Sequence, residues 1–201
     1  AIYRKFGGVS LGSSSGRSFE ATKYDFPHIR DFLLERDATT DVSETATVWS
    51  NILPLYQATM KAIRDGVLES GVPPWSGCHI SHTYRSGASL YFTFGFMQQK
   101  GHEMGQYLNV KRAAQQSFID GGATLSHHHA VGTEHLPWLS ADISPLGVKA
   151  VAAIKHGLDP DNIMNPGRLQ PSAAPFEEWS RIGSNPKPNT KAKAARASHR
   201  E

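Results

Sequence analysis

Gly77-Cys78-His79-Ile80-Ser81-His82-Thr83-Tyr84, Arg85-Ser86-Gly87-Ala88 and Ser89-Leu90-Tyr91-Phe92-Thr93-Phe94-Gly95-Phe96 follow one another in the middle of the chain. Two strand-like runs flank a short glycine-containing link, the second run dense in aromatics, and this predicts an antiparallel hairpin. The flanks read as helices. Over residues 49–70, Ile52, Leu55, Tyr56, Met60, Ile63 and Val67 recur at a spacing of three to four, with Pro54 at the start and Gly71 and Pro73-Pro74 at the end. Residues 104–120 predict another helix, stopped by Gly121-Gly122. Residues 24–36 predict a helix with Pro27 in its first turn and Ile29, Phe32 and Leu33 on one face. Residues 140–156 predict a last one, while 41–48 and 123–126 read as single strands and 7–18 as a Gly/Ser loop. The expected fold is α+β: an antiparallel sheet covered by helices on one face.

The 201 residues suffice for one domain with a real core. No apolar run reaches the ~18 residues of a membrane span, and no secretory signal pattern opens the chain. The start at Ala1, without Met, reads as the start of a fragment. A lone cysteine, Cys78, excludes an internal disulfide framework. It fits a reducing, cytoplasmic setting. The formal net charge of +3 is too small to argue for nucleic acid, and much of it sits in a Pro-, Ala-, Ser- and Lys-rich tail. Residues 1–18 are expected to continue another domain. Residues 19–169 are expected to form the functional domain, and 170–201 a basic, disordered tail.

Past the diglycine stop lies Ser126-His127-His128-His129-Ala130-Val131-Gly132. Three successive histidines cannot share one face of a strand or helix. Imidazole exchanges protons near neutral pH, so the triplet reads as a proton-transfer site, with a surface metal-affinity accident or a tag remnant as the bland alternative. Metal binding is not expected: Cys78, His79, His82 and His102 lack Cys-x-x-Cys or His-Glu-x-x-His spacing. Cys78 reads as a small buried apolar residue rather than a nucleophile. Gly12 to Gly16 lacks the Gly-Lys-Ser/Thr ending of a phosphate loop.

The ending Asp159-Pro160-Asp161-Asn162-Ile163-Met164-Asn165-Pro166-Gly167-Arg168 resembles the C-terminus of FAD-linked oxidases of the vanillyl-alcohol-oxidase type. The serine-triple-histidine segment and the aromatic strand are similar to the alkyldihydroxyacetonephosphate synthase branch, where many other members carry Gly-Glu-His-Gly. The similarity runs over about residues 3–169. It implies FAD as cofactor, held largely by an N-terminal FAD-binding domain outside this sequence. It also implies a lipid substrate and the exchange of an acyl group for a fatty alcohol in ether-lipid synthesis.

The same resemblance assigns roles. Tyr91, His128 and His129 match the catalytic positions. Arg30 and His127 match substrate contacts, and Asn165 and Arg168 match the segment beside the flavin. A guanidinium suits a carboxylate because its planar fork binds both oxygens. The alternative for Arg30 is a helical ion pair, yet the positions three and four residues away hold Phe26, Pro27, Leu33 and Leu34. Neighbouring Asp31 is expected to face elsewhere. A homodimer and peripheral membrane contact are compatible with this reading. Two other functions stay open. One is a FAD-dependent 2-hydroxyacid or alcohol dehydrogenase or oxidase; the other is a binding module that has kept the fold alone.

Overall fold

Asp37 marks a division in the computed structural model, which describes residues 2–25 and 27–170. A first unit ends at Arg36 and a second begins at Asp37. The first unit holds a short 3-10 turn and two helices, α1 (Ser14–Thr22) and α2 (Pro27–Leu34). Helix α1 replaces the last five residues, 14–18, of the expected Gly/Ser loop. Serine is only a moderate helix former, and the bond from the Thr22 hydroxyl to the Ser18 carbonyl returns its polar atom to the helix. Residues 171–201, where the basic tail was expected, lie outside the described residues.

The second unit carries the hairpin. Strands β2 (Trp75–Ser81) and β3 (Gly87–Met97) pair antiparallel, and β1 (Ala38–Val48) pairs antiparallel along the other edge of β3, giving the order β1-β3-β2. Helices α3 (Ile52–Leu68) and α4 (Glu103–Asp120) cover one face. Alternation along the central strand sets which face that is. Leu90, Phe92, Phe94 and Phe96 point at the helices and pack with Leu55, Ile63, Val67, Val110 and Phe118. Phe92 and Phe118 meet at 5.7 Å between centroids. Each such buried side chain contributes ~1.5–3 kcal/mol of hydrophobic stabilisation, so the aromatic strand is the anchor of the fold. Gly87 is required at its start, since a Cβ there would sit 1.9 Å from the Thr47 carbonyl oxygen.

Two expectations fail here. Residues 123–126 form no strand, although they run beside β1, an edge strand. One backbone bond, Thr124 N–H to the Ala46 carbonyl at 3.2 Å, links them to it. Side chains of β1 supply the rest: the Thr45 hydroxyl donates to the Thr124 carbonyl, and Glu44 takes the next donors. The last helix, α5 (Leu139–Leu158), is interrupted at Ser144, whose φ of 70° and ψ of 160° are not helical. Pro145 explains the break, because proline excludes the helical conformation of the residue before it. A second apolar cluster of Leu108, Leu125, Trp138 and Leu139 ties the start of α5 to α4.

Candidate active site

Opposed residues on adjacent strands share a face. Glu44 opposes Tyr91, and Tyr91 opposes His79, so all three lie on the sheet face away from α3 and α4. Glu44 is 1% exposed. After α4 the chain rounds the edge of β1 and folds over this carboxylate. The Ser126 hydroxyl donates to Glu44 Oε1 at 2.7 Å. Three successive backbone N–H groups, those of His127, His128 and His129, donate to the same oxygen at 2.9, 2.8 and 2.9 Å. That of His127 also reaches Oε2 at 3.1 Å. Burial alone would raise the carboxyl pKa. The backbone donors of His128 and His129 and the Ser126 hydroxyl outweigh it and hold Glu44 below the ordinary carboxylate range, hence ionised at neutral pH.

With the backbone turned inward to the carboxylate, the side chains fan outward. His127 Nδ1 lies 3.1 Å from His128 Nδ1, and His127 Nε2 lies 3.0 Å from the Tyr84 hydroxyl. The His129 ring meets Tyr91 edge-on at 5.3 Å, and His128 lies nearly parallel to Tyr91 at 6.4 Å. The structure thus brings Tyr91 and all three triplet histidines together, at a distance of more than thirty positions in sequence. His128 Nδ1 stands 3.4 Å from Glu44 Oε2. A carboxylate there favours the tautomer protonated at Nδ1, with Nε2 left to accept a proton.

A second buried network fastens the far end of the loop. Lys111, 3% exposed, pairs with Asp41 at 3.0 Å and Glu134 at 2.7 Å and donates to the Val42 carbonyl at 2.7 Å. The Tyr107 hydroxyl donates to both carboxylates. Glu134 is held down at about 2: His135 and Lys111 overcome the burial that would raise it. These charges reach the site. Burial, with the Asp41 and Glu44 charges, pushes the Tyr91 phenol up, so it is a proton donor at neutral pH. Burial, helped by His128 and Lys111 against Glu44, pushes His129 down, so its imidazole is neutral and can accept a proton. The Cys78 thiol is pushed up to about 11 by burial and packs against the core, as an inert apolar residue does.

The remaining expected residues stand differently. Arg30, in the first unit, is held by Asp31: Nε and Nη2 donate to Oδ1 at 3.1 and 3.0 Å. The expectation that an adjacent acid faces elsewhere is wrong, because a long guanidinium side chain folds back along the exposed helix surface. Asn165 and Arg168 sit in the turn after α5, where the Arg168 N–H donates to the Asn165 carbonyl at 3.2 Å. The absence of metal-type spacing also gave an incomplete picture. His82, separated from the triplet by over forty residues, joins His127 and His128 in one cluster, with ring centroids 5.2 and 5.0 Å away. Glu44 and Lys111 were missed altogether. The available signal was weak: an acid within a run of Thr and Ser in a strand, and a lysine in a helix.

Residues 11–169 match the family described as FAD linked oxidases, C-terminal domain. The chain belongs to that family. The domain is also 36% identical over 171 residues to the alkyldihydroxyacetonephosphate synthase of Trypanosoma brucei brucei, and 35% identical to that of Dictyostelium discoideum over the same length. Each match takes in 85% of the domain's chain and 28% of the relative. A solved alkyldihydroxyacetonephosphate synthase superposes with a TM-score of 0.54 at 28% identity, over 80% of this chain and 26% of that one. The chain therefore spans under a third of the length of these relatives. The α+β reading and the resemblance drawn from the histidine triplet and closing motif both hold. No helix among the described residues is long and apolar enough to cross a membrane.

Proposed function

We propose that this domain supplies the substrate-facing and proton-transfer groups of a FAD-dependent alkyldihydroxyacetonephosphate synthase. The reaction exchanges the acyl group of acyl-dihydroxyacetone phosphate for a fatty alcohol. The observation that carries the reading is the gathering of the Tyr91 phenol and the imidazoles of His127, His128 and His129 around one buried, ionised carboxylate. The carbon–oxygen bond to the acyl group breaks and the fatty acid leaves. A carbon–oxygen bond to the alcohol forms, the alcohol proton is released, and no net electrons move. His128 and His129 accept and return protons, Tyr91 donates one, and His127 contacts substrate. Glu44 acts as a positioning residue by fixing the loop backbone and the His128 tautomer. Such groups, correctly placed, account for ~100- to 10,000-fold in rate.

The donor set fits one end of FAD. Exposed imidazoles and a phenol offer hydrogen-bond donors and aromatic faces suited to the isoalloxazine edge, and Asn165 and Arg168 would lie beside it. When bound, the flavin supplies an electrophilic ring that activates the dihydroxyacetone carbon. In this reading its pyrophosphate is held by a separate N-terminal domain of the same enzyme. Arg30 would hold the acyl carboxyl group once released from Asp31.

The test uses the full-length flavoenzyme under anaerobic conditions. Labelled fatty alcohol should enter an ether product with stoichiometric release of fatty acid, and the flavin should stay oxidised. Bleaching of the flavin by 2-hydroxyacids or alcohols, without alcohol incorporation, would replace this reading with a dehydrogenase or oxidase.

A further inference from the structure

Hydrogen bonds occupy one ring nitrogen each of His127 and His82 and leave the other available to the cluster. His127 Nε2 is bonded to the Tyr84 hydroxyl, which turns His127 Nδ1 inward, 3.1 Å from His128 Nδ1. His82 Nδ1 is bonded to the Ser81 hydroxyl at 3.0 Å, which leaves its Nε2 open. One ring nitrogen from each of His82, His127 and His128 lies within 4.8 Å of the other two. Beneath them is Glu44 Oε2, 3.4 Å from His128 Nδ1 and 4.0 Å from His127 Nδ1. Glu44 Oε1 is saturated by four donors, whereas Oε2 receives the single 3.1 Å bond from His127.

Two imidazole nitrogens facing at this distance need a proton or a cation between them. Tetrahedral zinc, with bonds of about 2.0–2.1 Å, holds its donor atoms about 3.3 Å apart, close to the 3.1 Å from His128 Nδ1 to His127 Nδ1 and the 3.4 Å from His128 Nδ1 to Glu44 Oε2; the 4.0 Å from His127 Nδ1 to Oε2 and the His82 nitrogen, within 4.8 Å, would have to draw in. Metal-binding histidines also characteristically engage their other nitrogen with a fixed partner, here Tyr84 and Ser81. The ring of His82 is placed by an uncommon backbone, φ 46° at a non-glycine residue. The residue is exposed, and its ring packs 5.2 and 5.0 Å from those of His127 and His128.

The geometry points to a binding site for a divalent transition cation of the zinc class, with His82, His127 and His128 as ligands and Glu44 as the buried counter-charge. Imidazole donors favour zinc, copper or nickel over magnesium or calcium. Ligation at His128 Nδ1 displaces the proton held there to Nε2, which then has no lone pair to accept one, so binding of the cation arrests turnover. That consequence rests on the proposed function; the binding itself does not.

The test uses tag-free, full-length enzyme stripped with a chelator. Zinc chloride titrated by calorimetry should bind at one equivalent per chain, and cobalt chloride should give the visible absorption bands of a four-coordinate site. His82→Asn is the chosen variant because asparagine tolerates the left-handed backbone that alanine does not. It should lower zinc affinity about a hundredfold, and Tyr84→Phe about tenfold, the scale for losing a ligand or an orienting partner. His82→Asn should keep full turnover in chelator and lose inhibition by zinc in parallel with affinity. Equal zinc affinity in wild type and His82→Asn, or a six-coordinate cobalt spectrum, overturns the site. Zinc that binds through His82 yet leaves turnover untouched supports the site and instead removes His128 from proton transfer.

Discussion

Two loops of the second unit carry the family's motifs, and each is organised by one carboxylate that accepts successive backbone N–H groups. In the histidine loop the carboxylate is Glu44, on a strand more than eighty residues earlier, 1% exposed and bonded to Ser126, His127, His128 and His129. In the closing segment it is Asp159, which receives the N–H groups of Ile163 and Met164 at 2.9 Å each and pairs with Lys155 one helical turn back. The device is the same and the reach differs. A carboxylate that caps its own turn needs nothing from the rest of the fold. One that gathers a distant loop makes the placement of that loop conditional on the sheet.

Glu44→Ala should give the largest effect. It strands three backbone donors and a hydroxyl in a buried place, each costing ~1–3 kcal/mol when unsatisfied. Solvent entry on relaxation offsets part of this, so we expect a loss of about 3 kcal/mol in urea unfolding, together with collapse of turnover. Glu44→Gln should retain more stability than Glu44→Ala, because one oxygen still accepts, yet lose the His128 tautomer preference. Should Glu44→Ala unfold at the wild-type midpoint, the loop does not depend on the carboxylate and the contrast with Asp159 disappears.

His128→Ala and His129→Ala come next. Their side chains fan away from the anchored backbone, so turnover in the complete enzyme should fall about a hundredfold with the unfolding midpoint nearly unchanged. A histidine variant that unfolds in place of merely slowing would assign the ring a packing role.

An acid titration separates the loop from the rest at smaller cost. Glu44 is held below its ordinary value of 4.5, so its stabilisation is complete above that pH and is lost as the pH falls through its native value. Glu134 adds to the same loss between about 4.5 and its native value of about 2. Amide exchange at His127, His128 and His129, corrected for the intrinsic rate, should therefore accelerate below pH ~4.5 ahead of the core amides of Phe92 and Phe94. Simultaneous release of both sets would show that the loop and the core open as one unit.

What could be read in the sequence follows the same line between near and far. The β2–β3 hairpin and helices α3 and α4 were legible because their hydrophobic period and their stop residues Gly71 and Gly121 lie within the segment itself. The histidine triplet was visible as a pattern, and its meeting with Tyr91 followed from the resemblance. Its support was not visible. Nothing local distinguishes Glu44 from an acid on the solvent face of a strand, and the 123–126 run reads as a strand because its alternation does not show that it is held to β1 through the Thr45 and Glu44 side chains, on the Thr124 carbonyl and the Ser126 hydroxyl. His82 was likewise set aside on spacing, although the fold sets its ring 5.0 Å from His128. At Arg30 the error was the reverse: an interaction with the adjacent Asp31 was discounted because helical neighbours diverge, and a long flexible side chain closed the gap.

Asp159→Asn should give the smallest effect, and it tests the comparison most directly. The Lys155 pair and the Ile163 and Met164 N–H groups hold Asp159 at about 2, so at neutral pH the carboxylate is fully charged. Asparagine keeps one oxygen to accept a backbone N–H and loses the ion pair with Lys155. Because the group is local and reached by solvent, screening leaves little of that pair's energy. The unfolding midpoint should not move measurably. Exchange at the Ile163 and Met164 amides should quicken, since their acceptor is weaker. Turnover of the complete enzyme should drop by a factor of about five at most, the scale of one solvent-screened ion pair, through looser placement of Asn165 and Arg168. A collapse of turnover as deep as that of Glu44→Ala, with the midpoint unmoved, would show that the closing segment positions reacting groups as strictly as the histidine loop does, and that a locally capped turn is enough for that task.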